Sequence, residues 1–73
     1  MQKPSGDEQT FETHDGREYS VPIYRPAVGQ SANDLAKALG GYIPPRSERK
    51  EAGLMGRVFA CVNDSGMTYP VAK

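Results

Sequence analysis

Residue types able to do chemistry are few and far apart in this chain. One histidine, His14, and one cysteine, Cys61, stand among 73 residues that include no tryptophan. Catalysis needs a nucleophile, an acid or base and an electrostatic stabiliser converging on one cleft, and so short a chain buries little surface with which to shape one. His14 precedes Asp15-Gly16, a turn signal, and reads as a solvated turn residue, because a metal ligand or general base needs partners beside it. Cys61 lies in an apolar run and reads as a small core hydrophobe. It has no second cysteine for a disulfide, which suits a reducing cytoplasm. The sequence holds no catalytic set, no metal constellation and no cofactor motif, so the expectation is a binder that is not an enzyme and uses no cofactor.

Two features bear on nucleic acid. Gly53-Leu54-Met55-Gly56 has the bare GxxG spacing with which KH domains clamp a backbone, but its central residues are apolar and a strand follows, so it reads as a glycine-hinged loop. Arg46, Arg49 and Lys50 form the one dense basic group, with Arg57 close behind, and are the candidates for phosphate or RNA contact. Glu48 and Glu51 lie among them and are expected to screen the patch in an exposed loop. Net charge is zero, which argues against a general nucleic-acid magnet. The charge is nevertheless segregated. Residues 1–34 hold three Lys or Arg and six Asp or Glu, and residues 35–73 hold the reverse. Such a molecule can meet a basic protein surface with one side and offer cations to phosphate with the other.

The elements that must position these groups follow from local signals. Residues 1–8 carry no apolar group beyond Met1 and are expected to form a flexible arm, leaving residues 9–73 as one small domain. Asp15-Gly16 marks a β-hairpin. A three-residue loop with Gly16 left-handed sets Phe11 opposite Tyr19 and gives one apolar face with Val21 and Ile23, whereas a two-residue loop mixes polar and apolar on both faces. Pro22 has no amide hydrogen for a ladder, so its strand is expected at a sheet edge or bulged there. Ser31 as N-cap and Gly40 as stop bracket a short helix over residues 32–39, docked through Leu35 and Leu39. Pro44-Pro45 interrupts regular structure, after which Ser47 can cap a further helical turn reaching Ala52. Residues 58–62 are apolar on both faces, the pattern of a strand buried on both sides. Residues 63–66 turn that strand back, and a three-residue turn there sets Cys61 opposite Tyr69 and Phe59 opposite Val71.

The expected fold is therefore α+β: a small mixed or antiparallel sheet of two β-hairpins, one short helix packed on it and a flexible arm. Its expected core is Phe11, Tyr19, Val21, Ile23, Leu35, Leu39, Ile43, Val58, Phe59, Cys61, Val62 and Tyr69. No apolar run approaches the roughly 20 residues needed to span a bilayer, and the polar opening is unlike a signal peptide, so a soluble, cytoplasmic monomer with no membrane partner is expected.

The opening MQKPSGDEQ, the segment THDGREYSVPIY and the closing CVNDSGMTYPVAK, in a chain of this length, resemble the small regulators with which lytic Xanthomonas phages take over the host's RNA polymerase. The resemblance runs over the whole chain, with no signature motif. It implies a partner, the amino-terminal region of the polymerase β′ subunit near the RNA exit channel. It also implies an activity in the host cytoplasm: inhibition of initiation through loss of σ, and antitermination, with nascent RNA a further contact once the protein sits on polymerase. Asp7, Glu8, Phe11, Tyr24 and Arg25 are then the candidate partner-binding residues, and Arg46, Arg49, Lys50 and Arg57 the candidate RNA contacts. The alternatives are an inhibitor of another host enzyme or defence complex and, less favoured by zero net charge, a stand-alone nucleic-acid-binding domain.

Overall fold

The computed structural model describes residues 4–73, and six elements follow one another in it. They are β1 (Pro4–Glu12), β2 (Glu18–Tyr24), α1 (Ala32–Ala38), α2 (Arg46–Leu54), β3 (Val58–Asp64) and β4 (Met67–Ala72). The strands form one mixed sheet in the order β1-β2-β3-β4, an α+β fold of two hairpins joined by a parallel contact between β2 and β3.

The first hairpin has the register its apolar pattern demands. Phe11 pairs with Tyr19 and Glu12 with Glu18, and the two rings stack at 5.6 Å. The Thr13 amide donates to the Arg17 carbonyl at 2.7 Å and the Gly16 amide to the Thr13 carbonyl at 3.1 Å. Gly16 takes φ +86°, the left-handed conformation a three-residue bulged loop requires. The arm expected over residues 1–8 is corrected in part, because β1 begins at Pro4; residues 1–3 lie outside the described residues. Pairing with β2 supplies the order that residues 4–8 cannot supply alone, and the register slips between Pro4 and Glu8, where apolar side chains no longer fix it.

Pro22 does not lie at an edge, since β2 has a neighbour on each side. The alternation of the backbone explains how it is tolerated. The Ile23 carbonyl faces β1, where it accepts a hydrogen bond from the Ser5 hydroxyl at 2.9 Å, so position 22 turns toward β3. Pairing with β3 starts only at Ile23, so the missing donor breaks no rung.

Ser31 caps α1 by accepting from the Asp34 amide at 3.1 Å, and Leu39 closes it, as its sequence signals indicate. The second helix is longer than a single turn. It starts directly after Pro45, whose fixed φ of −55° suits a helix entrance, and no side chain caps it, so Ser47 is not its cap. The second hairpin also departs from expectation. Ser65 and Gly66 both have positive φ, a two-residue turn that pairs Asp64 with Met67, Val62 with Tyr69 and Cys61 with Pro70. Val71 and Ala72 point to opposite faces and are both fully buried, because the sheet is covered on each side.

Neighbouring residues of β3 point to opposite faces, and each face meets one helix. Ala60 and Val62 pack with Val71 and with Ala32, Leu35 and Ala36 of α1. Cys61 packs with Val21, Ile23 and Ala52 of α2, and Phe11 and Tyr19 close that side. Val58 joins the Cys61 side because a bulge between Val58 and Ala60 reverses the alternation. The sheet thus lies between two helices on opposite faces, where the sequence indicated one docked helix. Of the expected core, Phe11, Tyr19, Leu39, Ile43, Phe59 and Tyr69 are half-buried around smaller residues, and the alanines take the central places.

The chain between the helices is pinned to β4. Tyr42 and Ala72 exchange backbone hydrogen bonds of 2.8 Å, and a methyl at Gly41 would collide with the Ala72 carbonyl oxygen and stand 2.8 Å from the Phe59 ring. Gly16 has open space around it and only its backbone conformation to lose. In urea unfolding, Gly16→Ala should therefore cost about 1 kcal/mol through left-handed strain. Gly41→Ala should cost roughly 2 kcal/mol or more through overpacking against backbone. Equal losses would show that the Gly41 passage gives way.

Candidate functional site

Exposed charge of each sign gathers on a different element, carboxylates on the first hairpin and cations on α2. On β1 and β2, the face opposite Phe11 and Tyr19 carries Glu8, Thr10, Glu12, Glu18 and Ser20, all exposed. Glu12 stands directly across from Glu18, a like-charge pair that is unfavourable by itself, and Thr10 and Ser20 join hydroxyls at 3.1 Å beside it. Helix α1 packs over the β3–β4 half of this face and leaves the β1–β2 half open. Among the described residues the one ion pair joins Arg17 to Asp15, at the hairpin tip, so these three glutamates have no cation of their own.

The basic group lies on α2 and not in a loop; Ala52 near the end of that helix packs on the Cys61 side, while Arg49 nearer its start reaches Tyr69, which packs against the α1 cluster. Helical spacing changes its character. Arg46 has Arg49 and Lys50 at three and four residues on, while Glu48 has Glu51 at three, so cations line one flank and carboxylates another. The screening expected from the interleaved sequence is therefore not built into the helix.

Arg49 is half-buried and tied down: its Nε–H donates to the Pro44 carbonyl at 3.1 Å, and its guanidinium lies 5.3 Å from the centre of the Tyr69 ring. Arg46 and Lys50 are exposed. Arg57 is exposed beyond the other end of α2, a helix length of roughly 13 Å from Arg46, so it does not belong to the same patch. A cleft of about 320 Å³ opens beside Arg49, lined by Ser31, Asn33, Ile43, Asp64 and Tyr69. Its lining carries both signs of charge, Arg49 and Asp64.

The other candidates divide. Asp7 and Glu8 are exposed on β1, and Arg25 is exposed just after β2. Phe11 and Tyr24 are used within the fold: Phe11 lies over Gly53 and against Tyr19, and Tyr24 packs with the α1 cluster. The GxxG segment is the end of α2 and not a loop between helices. The Tyr19 hydroxyl donates to the Gly53 carbonyl at 3.1 Å, and the His14 amide donates to the Leu54 carbonyl at 3.1 Å, with the ring Nδ1 3.3 Å from the same oxygen. These donors satisfy carbonyls that a helix end leaves unpaired. His14 thus helps close the fold.

No group of three or more His, Cys, Asp or Glu suited to a metal occurs among the described residues. No helix among them is long and apolar enough to cross a membrane. The chain matches no protein-family profile, no curated protein and no solved structure.

Two consequences can be measured. Arg49→Ala removes a charge-assisted hydrogen bond and a ring contact, and should destabilise by about 1–2 kcal/mol, whereas Lys50→Ala should change little. Matching losses in thermal melts would remove Arg49 from the structural role. Burial pushes the Cys61 thiol from 9.0 up to about 11. The folded chain then holds this proton where the unfolded chain releases it, so the contribution is intact below pH 9 and declines as pH rises toward 11. Urea midpoints should fall across that interval and fall less in Cys61→Ala; an identical slope in both would overturn the assignment.

Proposed function

We propose that this protein is a regulator of host transcription that binds bacterial RNA polymerase, at the amino-terminal region of β′ near the RNA exit channel, inhibits initiation by promoting loss of σ and favours read-through at terminators. The chain-wide resemblance to phage polymerase regulators supports this reading. The structural observation that carries it is the placement of unlike charge on separate elements of one small fold. Glu8, Glu12 and Glu18 offer an acidic face of the first hairpin to a basic protein surface, and Arg46 and Lys50 are exposed on α2, where they can meet phosphate.

In this reading protein contact comes first. Zero net charge gives the free protein little long-range attraction for nucleic acid, so the cations act once the polymerase has positioned them. Arg46→Ala with Lys50→Ala, leaving Arg49 in place to hold the fold, should retain binding to core polymerase while reducing terminator read-through in a reconstituted transcription assay. Failure of the unaltered protein to bind polymerase would overturn the proposal. Capture of a different complex from host lysate would favour an inhibitor of that complex. Micromolar binding to naked nucleic acid near physiological salt, lost in the double variant, would favour a stand-alone nucleic-acid binder.

A further inference from the structure

The two edges of the sheet are not equivalent. At the β4 edge the outward backbone groups of Ala72 are taken by Tyr42, and Pro70, two residues earlier and facing the same way, has no amide hydrogen to offer. The β1 edge has no such cover among the described residues. Its outward groups can be assigned. Thr13 donates inward to Arg17, so Phe11 and Gln9 also face β2, and the amides and carbonyls of Glu8, Thr10 and Glu12 face outward. Pairing with β2 is regular over this stretch, so the edge is straight enough to accept another strand.

Its charge selects the occupant. The side chains of Glu8 and Glu12 stand on one face of the edge strand, with Glu18 behind Glu12, and no ion pair among the described residues neutralises them. A second copy of the chain, paired antiparallel about Thr10, would set Glu8 against Glu12 twice, which repels. An extended segment with Lys or Arg at two positions four residues apart would instead set a cation beside each glutamate and complete the ladder at Glu8, Thr10 and Glu12. We propose that β1 is a docking edge that captures a basic extended segment of a partner protein by strand addition, read by Glu8 and Glu12. That this partner is polymerase rests on the function proposed above; the mode of capture does not.

The test uses a synthetic peptide of about seven residues, a usual strand length, with threonine and valine around two lysines four apart, and a second peptide with glutamate at those places. The lysine peptide should bind and slow amide exchange at Glu8, Thr10 and Glu12, and the glutamate peptide should not bind. Thr10→Pro removes an outward amide and the exposed hydroxyl contact with Ser20 but no backbone rung within the sheet, so it should weaken lysine-peptide binding roughly tenfold or more. Thr10→Val, which loses only the hydroxyl contact, should bind as the unaltered chain does. Glu8→Lys with Glu12→Lys should reverse the preference between peptides. No binding of the lysine peptide, binding with protection elsewhere, or wild-type affinity in Thr10→Pro would each overturn the docking edge. Polymerase binding is measured in parallel. A chain that takes the peptide along β1 but not polymerase overturns the proposed partner alone, and a chain whose Thr10→Pro variant binds polymerase undiminished overturns the edge alone.

Discussion

The whole sheet depends on a short parallel join. Only Ile23 with Cys61 and Tyr24 with Val62 connect the first hairpin to the second, and two rungs cannot hold two hairpins in one plane by hydrogen bonds alone. What holds them is burial on both faces at that place. Val62 lies under α1, Cys61 under α2, and Ile23 and Tyr24 continue the same two clusters from β2. Because parallel strands need a crossover, the chain must leave the sheet between β2 and β3. This crossover carries both helices and puts one on each side.

That arrangement accounts for the small residues at the centre. A sheet covered on both faces by helices of seven and nine residues needs close approach, and Ala32, Ala36, Ala52 and Ala60 provide it, while Leu35, Val62 and Val71 fill what remains. The larger rings lie at the margins. Phe11 and Tyr19 cover Gly53 at the end of α2, and the Tyr19 hydroxyl and His14 amide then satisfy the carbonyls there. The hairpin tip and the helix end therefore support each other, which explains why a polar segment with no apolar stripe is helical at all.

The legible parts of the sequence were those with a strong local reason. Asp15-Gly16 has one register that keeps Phe11, Tyr19, Val21 and Ile23 on a single face, and Ser31 and Gly40 mark both ends of α1. The second turn had no such guide, because β3 is apolar on both faces and either register buries something; the left-handed pair Ser65-Gly66 decided it. Helix α2 resembles an exposed loop in sequence because its inward face is only Ala52, Gly53 and the stem of Arg49, too little to show as periodicity. The consequence reaches the candidate site. In a loop, alternating Arg, Glu and Lys neutralise one another, but on a helix the same residues separate by sign.

The placement of charge follows from the same constraint. Both helices belong to one crossover, but α1 sits over β3 and β4, whereas α2 reaches back to the β1–β2 hairpin from the other face. One face of that hairpin is thus covered and the other is left in water, and it is the open face that carries Glu8, Glu12 and Glu18. Burial of those carboxylates beneath a third helix would require cations to pair with them, and among the described residues none does. Left exposed, they cost little in the free protein beyond the repulsion of Glu12 and Glu18, and that repulsion is relieved when a cation arrives. The feature that makes the open face mildly unfavourable alone is the one that the proposed basic partner would relieve.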